Sequence, residues 1–345
     1  MREVRFVEAK QPRMERVIEL LESSSQENQW ANGGPVERAF AEALAEFLAL
    51  PAGYEVLPCA NGGLALHALC QAIEITEQES IHWGVSAFTF RNQARGYFSG
   101  STVLDCDANA RIDLGECERH PDVSGIVGTN VFGVHGPLSD IRDESLRLGF
   151  PFVLDNAAGL CRGGTAQGVA SYSFHYTKPF GTGEGGAVVA DSATIETVRQ
   201  LINYSELSAS PHAWVGNGKI SDIACAFHLD RLERYNEWAP LYAVQAGRVT
   251  ELARRVGLEP LTPSLPTDSV HMSLPFLAPE ALPENAVIAN PLPLGKYYQP
   301  LAPLPQAVSI YDRLVNVPTH PDIAAISDTE LLVGLTKLLP PSRIY

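Results

Sequence analysis

The chain has 345 residues, 45% of them hydrophobic and 19% charged, with a formal net charge of −15 at pH 7. Such a length allows more than one domain, and the composition belongs to a globular protein with a sizeable core rather than a disordered one. The acidic balance repels polyanions, so non-specific binding to nucleic acid or to an acidic membrane surface is not expected, and an anionic small molecule would need a local group of Arg or Lys.

Apolar positions at helical spacing predict a helix over residues 12–24, followed by a polar loop. Asn32-Gly33-Gly34-Pro35 is a turn, and Pro35 suits the first turn of a helix running to Leu50. A strand over Tyr54 to Pro58 leads to Asn61-Gly62-Gly63, which opens a helix through Leu64, Leu66 and Leu69. Next come a strand from Ile81 to Ala87, a helix from Phe90 to Phe98, and strands at Thr102 to Asp105 and Gly125 to Asn130. A helix from Leu138 to Leu148 precedes strands at Phe152 to Asp155, Ala170 to Phe174 and Ala187 to Ala190, then a helix from Ser192 to Tyr204. Strands alternating with helices predict an α/β fold with a mostly parallel sheet covered on both faces.

A second region starts near Ile220 with helices over Ile220 to Trp238 and Leu241 to Val256. The proline-rich stretch from Glu259 to Pro305 suggests short strands, and Ser327 to Leu338 reads as a closing helix. These boundaries place a large domain at 30–235 and a smaller C-terminal α+β domain at 236–345, with the N-terminal helical segment 1–29 packing near the smaller one. Six cysteines, Cys59, Cys70, Cys106, Cys117, Cys161 and Cys225, show no CxxC and no metal spacing. They read as reduced thiols of a cytoplasmic protein, and no metal site is expected. The opening residues lack the apolar core of a signal peptide, and no apolar run is long enough to span a bilayer.

The chemistry concentrates in Ser173-Phe174-His175-Tyr176-Thr177-Lys178-Pro179-Phe180-Gly181-Thr182-Gly183-Glu184-Gly185-Gly186. Lys178 follows a short apolar run and precedes a glycine-dense loop, where backbone can crowd a flat, phosphorylated group. A desolvated lysine becomes a Schiff-base nucleophile. Asp155 ends a buried-looking strand, where open α/β sheets place ligands, and a carboxylate there can keep a pyridine nitrogen protonated. Together the two suit pyridoxal phosphate (PLP). Gly62 and Gly63 open a helix whose free N–H groups can hold phosphate, and Phe90 at a strand end can stack on a ring. Each feature alone also has a plain structural reading. Lys178 fits a surface lysine, Asp155 a cap, Asn61-Gly62-Gly63 a tight turn, Phe90 a core aromatic and Asn217-Gly218-Lys219 a helix cap, while His175 reads as packed rather than catalytic.

The same segments occur in the order and spacing of one family. Asn32-Gly33-Gly34-Pro35, Asn61-Gly62-Gly63-Leu64-Ala65-Leu66, Phe88-Thr89-Phe90, Asp155-Asn156-Ala157-Ala158, Ser173 to Lys178, Gly183-Glu184-Gly185-Gly186 and Asn217-Gly218-Lys219 carry the likeness, with Lys296-Tyr297-Tyr298 and Leu314 to Pro321. The chain resembles the DegT/DnrJ/EryC1/StrS family of PLP-dependent sugar aminotransferases. The resemblance implies a type I aminotransferase fold and a homodimer with active sites at the subunit interface. It further implies that Lys178 meets the cofactor aldehyde, that Asp155 partners the pyridine nitrogen, and that Ser173, Gly62 and Gly63 hold phosphate. Phe90 would stack on the ring and Asn217 would reach the neighbouring subunit's phosphate.

Two departures stand out. The family usually has Ser-Gly-Thr where this chain has Asn61-Gly62-Gly63, and a glutamine or histidine where it has Ala158. The presence of Lys178 argues against the family's dehydrase branch, where histidine replaces the lysine. The resulting expectation is a nucleotide-sugar aminotransferase that cycles PLP through pyridoxamine phosphate. An amino acid, glutamate, would be the donor and a keto-deoxysugar the acceptor. Arg91, Arg95, Arg162 and Lys219 are candidates for anionic groups. The alternatives are a PLP enzyme acting on a cyclitol or another non-nucleotide ketone, and a non-catalytic relative serving as a regulatory or scaffolding dimer.

Overall fold

The computed structural model of the protein describes residues 4–164, 168–204 and 216–339. The parts of the expected domains that fall on 1–3, 165–167, 205–215 and 340–345 lie outside the described residues. Two helices come first. α1 (Met14–Glu27) stops at Asn28 in the left-handed region, and α2 (Pro35–Leu48) starts on Pro35, whose missing N–H would have had no helical partner. The alternating part follows as β1 (Tyr54–Cys59), α3 (Gly62–Glu77), β2 (Trp83–Ser86), β3 (Thr102–Leu104) and β4 (Gly125–Thr129). It continues as α4 (Ser139–Arg147), β5 (Phe152–Asp155), β6 (Ala170–Ser173), β7 (Gly186–Asp191), α5 (Ser192–Leu201) and α6 (Asp222–Glu233). Every residue of β2, β4 and β5 is buried, which explains why these stretches lack polar alternation.

The seven strands form one sheet in the order β1-β7-β6-β5-β4-β2-β3. Neighbours from β6 through β3 run parallel, and β7 is antiparallel to both β6 and β1. On one face α2 and α6 enclose Phe40, Leu44, Leu48, Phe174 and Leu229; on the other α3 and α5 enclose Leu66, Leu69, Val188 and Val198. Burying each such side chain contributes about 1.5–3 kcal/mol. With both faces covered, ligand access is left to the strand ends. There β4, β5 and β6 finish side by side on Thr129, Asp155 and Ser173.

The remaining elements are α7 (Tyr235–Arg255), β8 (Glu259–Pro260), β9 (Ser273–Leu277), α8 (Glu284–Ile288), α9 (Pro305–Arg313), β10 (Leu314–Pro318) and α10 (Asp328–Thr336). β10, β9 and β8 make a three-stranded antiparallel sheet. It packs with α7 and α10 through Val249, Leu252, Phe276, Val317 and Leu335. A capping box between Ser327 and Glu330 starts α10.

Three local expectations change. The helix expected from Phe90 to Phe98 is two short 3-10 turns, Arg91–Ala94 and Gly96–Gly100, because Arg95 between them is extended and Gly96 has φ +58°. The break between the paired helices falls at Arg234, not near residue 240; Pro240 is accommodated inside α7, where it removes one backbone donor. The N-terminal segment divides in two. Residues 5–9 meet the C-terminal region, where Phe6 packs edge-on against Tyr297 and the Ala9 N–H donates to Asp322, whereas α1 packs on α2 and α6.

Candidate active site

Asp155 is fixed at the end of β5 with 5% of its surface exposed. Its Oδ1 accepts the Ala157 N–H at 3.1 Å and its Oδ2 accepts from Gln93 Nε2 at 2.7 Å. Burial raises the carboxyl pKa, while the Ala157 N–H, the Gln93 amide and the charge of Lys178 pull it back. Lys178 is therefore close enough for its charge to act on Asp155.

Lys178 sits on a tight turn after β6. Its N–H donates to His175 O at 2.8 Å and its carbonyl accepts from Gly181 N at 3.1 Å. Gly181 has to be glycine, since a Cβ there would run into the backbone carbonyls of Phe174 and His175. Phe174 and Tyr176 then pair with Gly185 and Gly183 at 2.8 and 2.7 Å, so the glycine loop folds back as a clasp on the turn. Two basic side chains distant in sequence hold the same turn. Arg231 Nε donates to Pro179 O at 3.0 Å, and Lys10 Nζ donates to Tyr176 O.

The start of α3 lies against the end of β6. Asn61 caps it by accepting from Leu64 N at 2.9 Å. A Cβ on Gly62 would stand 2.7 Å from Ser173 Cβ, and one on Gly186 would collide with the backbone of Asn61. Helix start, strand end and glycine loop thus meet backbone to backbone. Gly63 differs: a Cβ there would find only ordinary contacts, 3.5 Å to Asn61 Oδ1 and 3.6 Å to Asn92 Nδ2. Ser173 is half-buried, and its Oγ accepts from His175 N at 3.3 Å.

Gly62, Ser173, Asp155 and Lys178 are therefore brought together. Phe90, three residues before Gln93, is half exposed, with its ring edge-on to Tyr298 at 6.1 Å; Tyr298 in turn stacks on Phe132 at 5.1 Å. Asn217 is exposed, one residue from Gly218, whose carbonyl accepts from Ala60 N at 2.8 Å beside the start of α3. Ala158 is half-buried, and its carbonyl abuts Gly133. The four cationic candidates separate. Arg162 lies over the Tyr235 ring at 4.5 Å and near Phe47, among the residues beneath α2, and Lys219 donates to Asn203. Arg91 and Arg95 are exposed and form no ion pair among the described residues.

Gln93 is the residue that sequence reasoning missed. Fully buried, it donates to both Asp155 and Thr129, the latter at 2.8 Å, and its Oε1 has no partner. Read as part of a helix, it carried no inward signal; the 3-10 turn is what aims it at Asp155. Among the described residues no cluster of His, Cys, Asp or Glu is placed to hold a metal, and no helix is long and apolar enough to cross a membrane.

Comparison with known proteins bears on this arrangement. The sequence profile of the DegT/DnrJ/EryC1/StrS aminotransferase family matches residues 11–330. Protein MT3510 of Mycobacterium tuberculosis is 33% identical over 230 residues, which cover 60% of this chain and 55% of that protein. A dTDP-4-amino-4,6-dideoxy-D-glucose transaminase of Shigella dysenteriae is 28% identical over 240 residues, 64% of this chain and 62% of its own. The match thus spans little more than half the length of the mycobacterial relative. Among solved structures, Helicobacter pylori PseC, an aminotransferase of pseudoaminic acid biosynthesis, superposes with a TM-score of 0.79 at 19% identity over 98% of this chain and 99% of its own. DesI with its TDP-sugar product gives 0.76 at 21% identity, over 95% of this chain and 90% of its own. At such identities these two likenesses establish the fold, that of the type I aminotransferases.

Proposed function

Since the chain belongs to the DegT/DnrJ/EryC1/StrS aminotransferase family, we propose that it is a PLP-dependent aminotransferase passing an amino group from L-glutamate to the ketone of a nucleotide-linked deoxysugar. The observation that carries this reading is the convergence of Lys178, buried Asp155 and the α3 start on one edge of the sheet. The similar Shigella transaminase and the TDP-sugar in the DesI structure support the choice of acceptor.

The donor set suits a phosphorylated pyridine. Asp155 would take the ring nitrogen, Lys178 the aldehyde carbon, and the N–H groups of Gly62 and Gly63 with the Ser173 hydroxyl the phosphate. The absence of room for a Cβ at Gly62 is what lets backbone approach there. Phe90 would cover the ring, and Asn217, exposed beside the α3 start, would reach the phosphate of a partner subunit in a homodimer. When bound, the cofactor supplies an electron sink that acidifies the substrate's α C–H bond.

The chain's own residues do the remaining work. The Lys178 amine takes a proton from the substrate carbon and returns one as general acid, from a turn that Arg231 and Lys10 hold in place. Asp155 keeps a proton at the ring nitrogen, aided by an Ala157 N–H that leaves its second oxygen to Gln93. Phe90, Tyr298 and Phe132 form an aromatic row, edge-on and then stacked, on the Phe90 side of the site. Arg91 and Arg95, free of ion pairs among the described residues, are the cations for a diphosphate or a donor carboxylate. Six free thiols fit a reducing cytoplasm.

Absorbance on adding PLP tests the reading. The wild type should develop a visible band that Lys178→Ala lacks, L-glutamate should bleach it, and a ketosugar nucleotide should restore it. Protein that stays colourless would overturn the proposal; restoration by a cyclitol ketone and not by a nucleotide sugar would move the acceptor to another class.

A further inference from the structure

Gln93 occupies an unusual position for an uncharged side chain. It is 0% exposed, and its amide reaches a buried carboxylate and a buried hydroxyl at once. An ionised carboxylate can only accept, so the amide atom facing Asp155 has to be the nitrogen. The Thr129 hydroxyl accepts from the same nitrogen and shares a 2.8 Å hydrogen bond with Thr89 Oγ1, in which either hydroxyl can donate. With its nitrogen turned to Asp155, Gln93 donates to the carboxylate and to the Thr129 hydroxyl at once, an arrangement suited to a carboxylate that carries no proton. Reversing it would turn Gln93 Oε1 toward a protonated Asp155.

We infer that Gln93 is the positioning residue of Asp155: its amide fixes the rotation of the carboxylate and keeps it an acceptor, so that a lone pair stays turned to the pyridine nitrogen. The inference rests on the proposed PLP reading. Two other observations agree with it. Burial opposes ionisation of Asp155, and the Gln93 hydrogen bond is among the few influences working the other way, with the Ala157 N–H and the Lys178 charge. Among the described residues the Cys70 thiol on α3 also feels Asp155: burial first, then the charges of Glu74 and Asp155, push it toward its neutral form. No other side chain donates to Asp155 among the described hydrogen bonds, so nothing replaces the amide if it is lost.

The test is a PLP titration of the full chain followed by absorbance, in wild type, Gln93→Met, Asp155→Asn and the double variant. Gln93→Met keeps the volume and removes the donor. It should weaken PLP binding about tenfold, equivalent to ~1.4 kcal/mol. The same substitution in the Asp155→Asn background should cost little further, since a residue acting through Asp155 has nothing left to act on. Equal losses in both backgrounds, or none, would overturn the inference. Gln93→Glu is the second variant, in case the methionine does not fold. Its carboxyl can donate in the amide's place only when protonated, and burial beside the Asp155 carboxylate raises the pH at which it takes up a proton, so PLP affinity should improve as pH falls from about 8 to 6 relative to wild type; a parallel pH profile would refute the role. Wild type that binds PLP while both variants match it sinks the role of Gln93 alone. Wild type that takes up no PLP sinks both this role and the aminotransferase reading.

Discussion

Glu8→Ala is the most informative single perturbation of the scaffold, because it removes one half of a buried ion pair that props the lysine turn. Glu8 Oε2 lies 2.7 Å from Arg231 Nη2, with side-chain exposures of 9% and 4%. Tyr242 donates to the same oxygen at 2.8 Å, and the guanidinium lies 4.0 Å from the Trp238 ring centre. At 2.7 Å and an effective dielectric of about 20, the attraction is ~6 kcal/mol, offset by several kcal/mol of desolvation per ion. The intact pair therefore contributes little net stability. Removing Glu8 alone abolishes the attraction and leaves Arg231 buried and unpaired, which costs about 3–5 kcal/mol. Urea unfolding followed by tryptophan fluorescence, with Trp238 as the local reporter, and by far-ultraviolet circular dichroism measures this. Glu8→Gln keeps acceptors for Tyr242 and Arg231 and should lose about half as much. The double variant Glu8→Met with Arg231→Met should be more stable than Glu8→Ala, since no charge is left stranded. A Glu8→Ala variant within about 0.5 kcal/mol of wild type would show that the pair is not desolvated, and a double variant less stable than both singles would refute the desolvation argument.

Three further outcomes are expected. Gly62→Ala should impair folding or PLP uptake, since its Cβ would stand 2.7 Å from Ser173, whereas Gly63→Thr should fold normally and tighten PLP binding, one hydrogen bond being worth about 0.5–1.5 kcal/mol; equal effects in a PLP titration would contradict the placement of α3. Burial holds His228 and His271 at a pKa of about 4, below the ordinary 6.5. Both stay neutral in the fold, so the unfolded chain binds their protons first. Their stabilising contribution is present in full above pH 6.5 and is lost as pH falls toward 4, about 3 kcal/mol for each. Unfolding free energies that stay flat between pH 7 and 4.5 would rule this out. Asp222→Ala should destabilise by about 3 kcal/mol or more in urea, because the fully buried carboxylate accepts from Ser24 Oγ at 2.6 Å and from the N–H groups of Val36 and Glu37 at 3.1 Å. A loss below 1 kcal/mol would mean that the α2 start finds other partners.

The strands around the site were legible because burial on both faces turns them into short apolar runs; Asp155 is the last residue of β5, and Lys178 lies on the turn that follows β6. Gly181 and Gly62 were legible for a steric reason, since each stands where another segment's backbone or Cβ leaves no room. The stretch after Phe90 was misread because apolar spacing does not separate a helix from two 3-10 turns, and the reversal at Gly96 depends on a single φ angle. Gln93 was hidden for the same reason. The props of the lysine turn were invisible in a different way. Glu8 and Arg231 are 223 positions apart, and neither carries a local signal that it will be buried against the other.

That division has a consequence for what can be learned next. The parts of the site that hold chemistry in the proposed reading are backbone contacts and buried side chains: the α3 start, the Gly181 turn, and Asp155 with Gln93 and Thr129. Packing constrains each of them from several directions, so their identities follow from the fold. In the same reading the parts left to meet an acceptor, Arg91 and Arg95, are exposed. Packing leaves these free to vary, which is why the reaction class is easier to read from the chain than the sugar. Gly63 and Ala158 fall between the two groups. Gly63 is not sterically required as it stands, having only ordinary contacts around a would-be Cβ, and Ala158 is half-buried three residues after Asp155. Each missing hydrogen bond removes about 0.5–1.5 kcal/mol from cofactor anchoring, an amount that a lysine–aldehyde bond and a buried carboxylate outweigh. The two departures should therefore appear as a weaker PLP dissociation constant in the titration, with the lysine-dependent visible band intact. A wild type with no such band would place the fault at Lys178 and Asp155 instead.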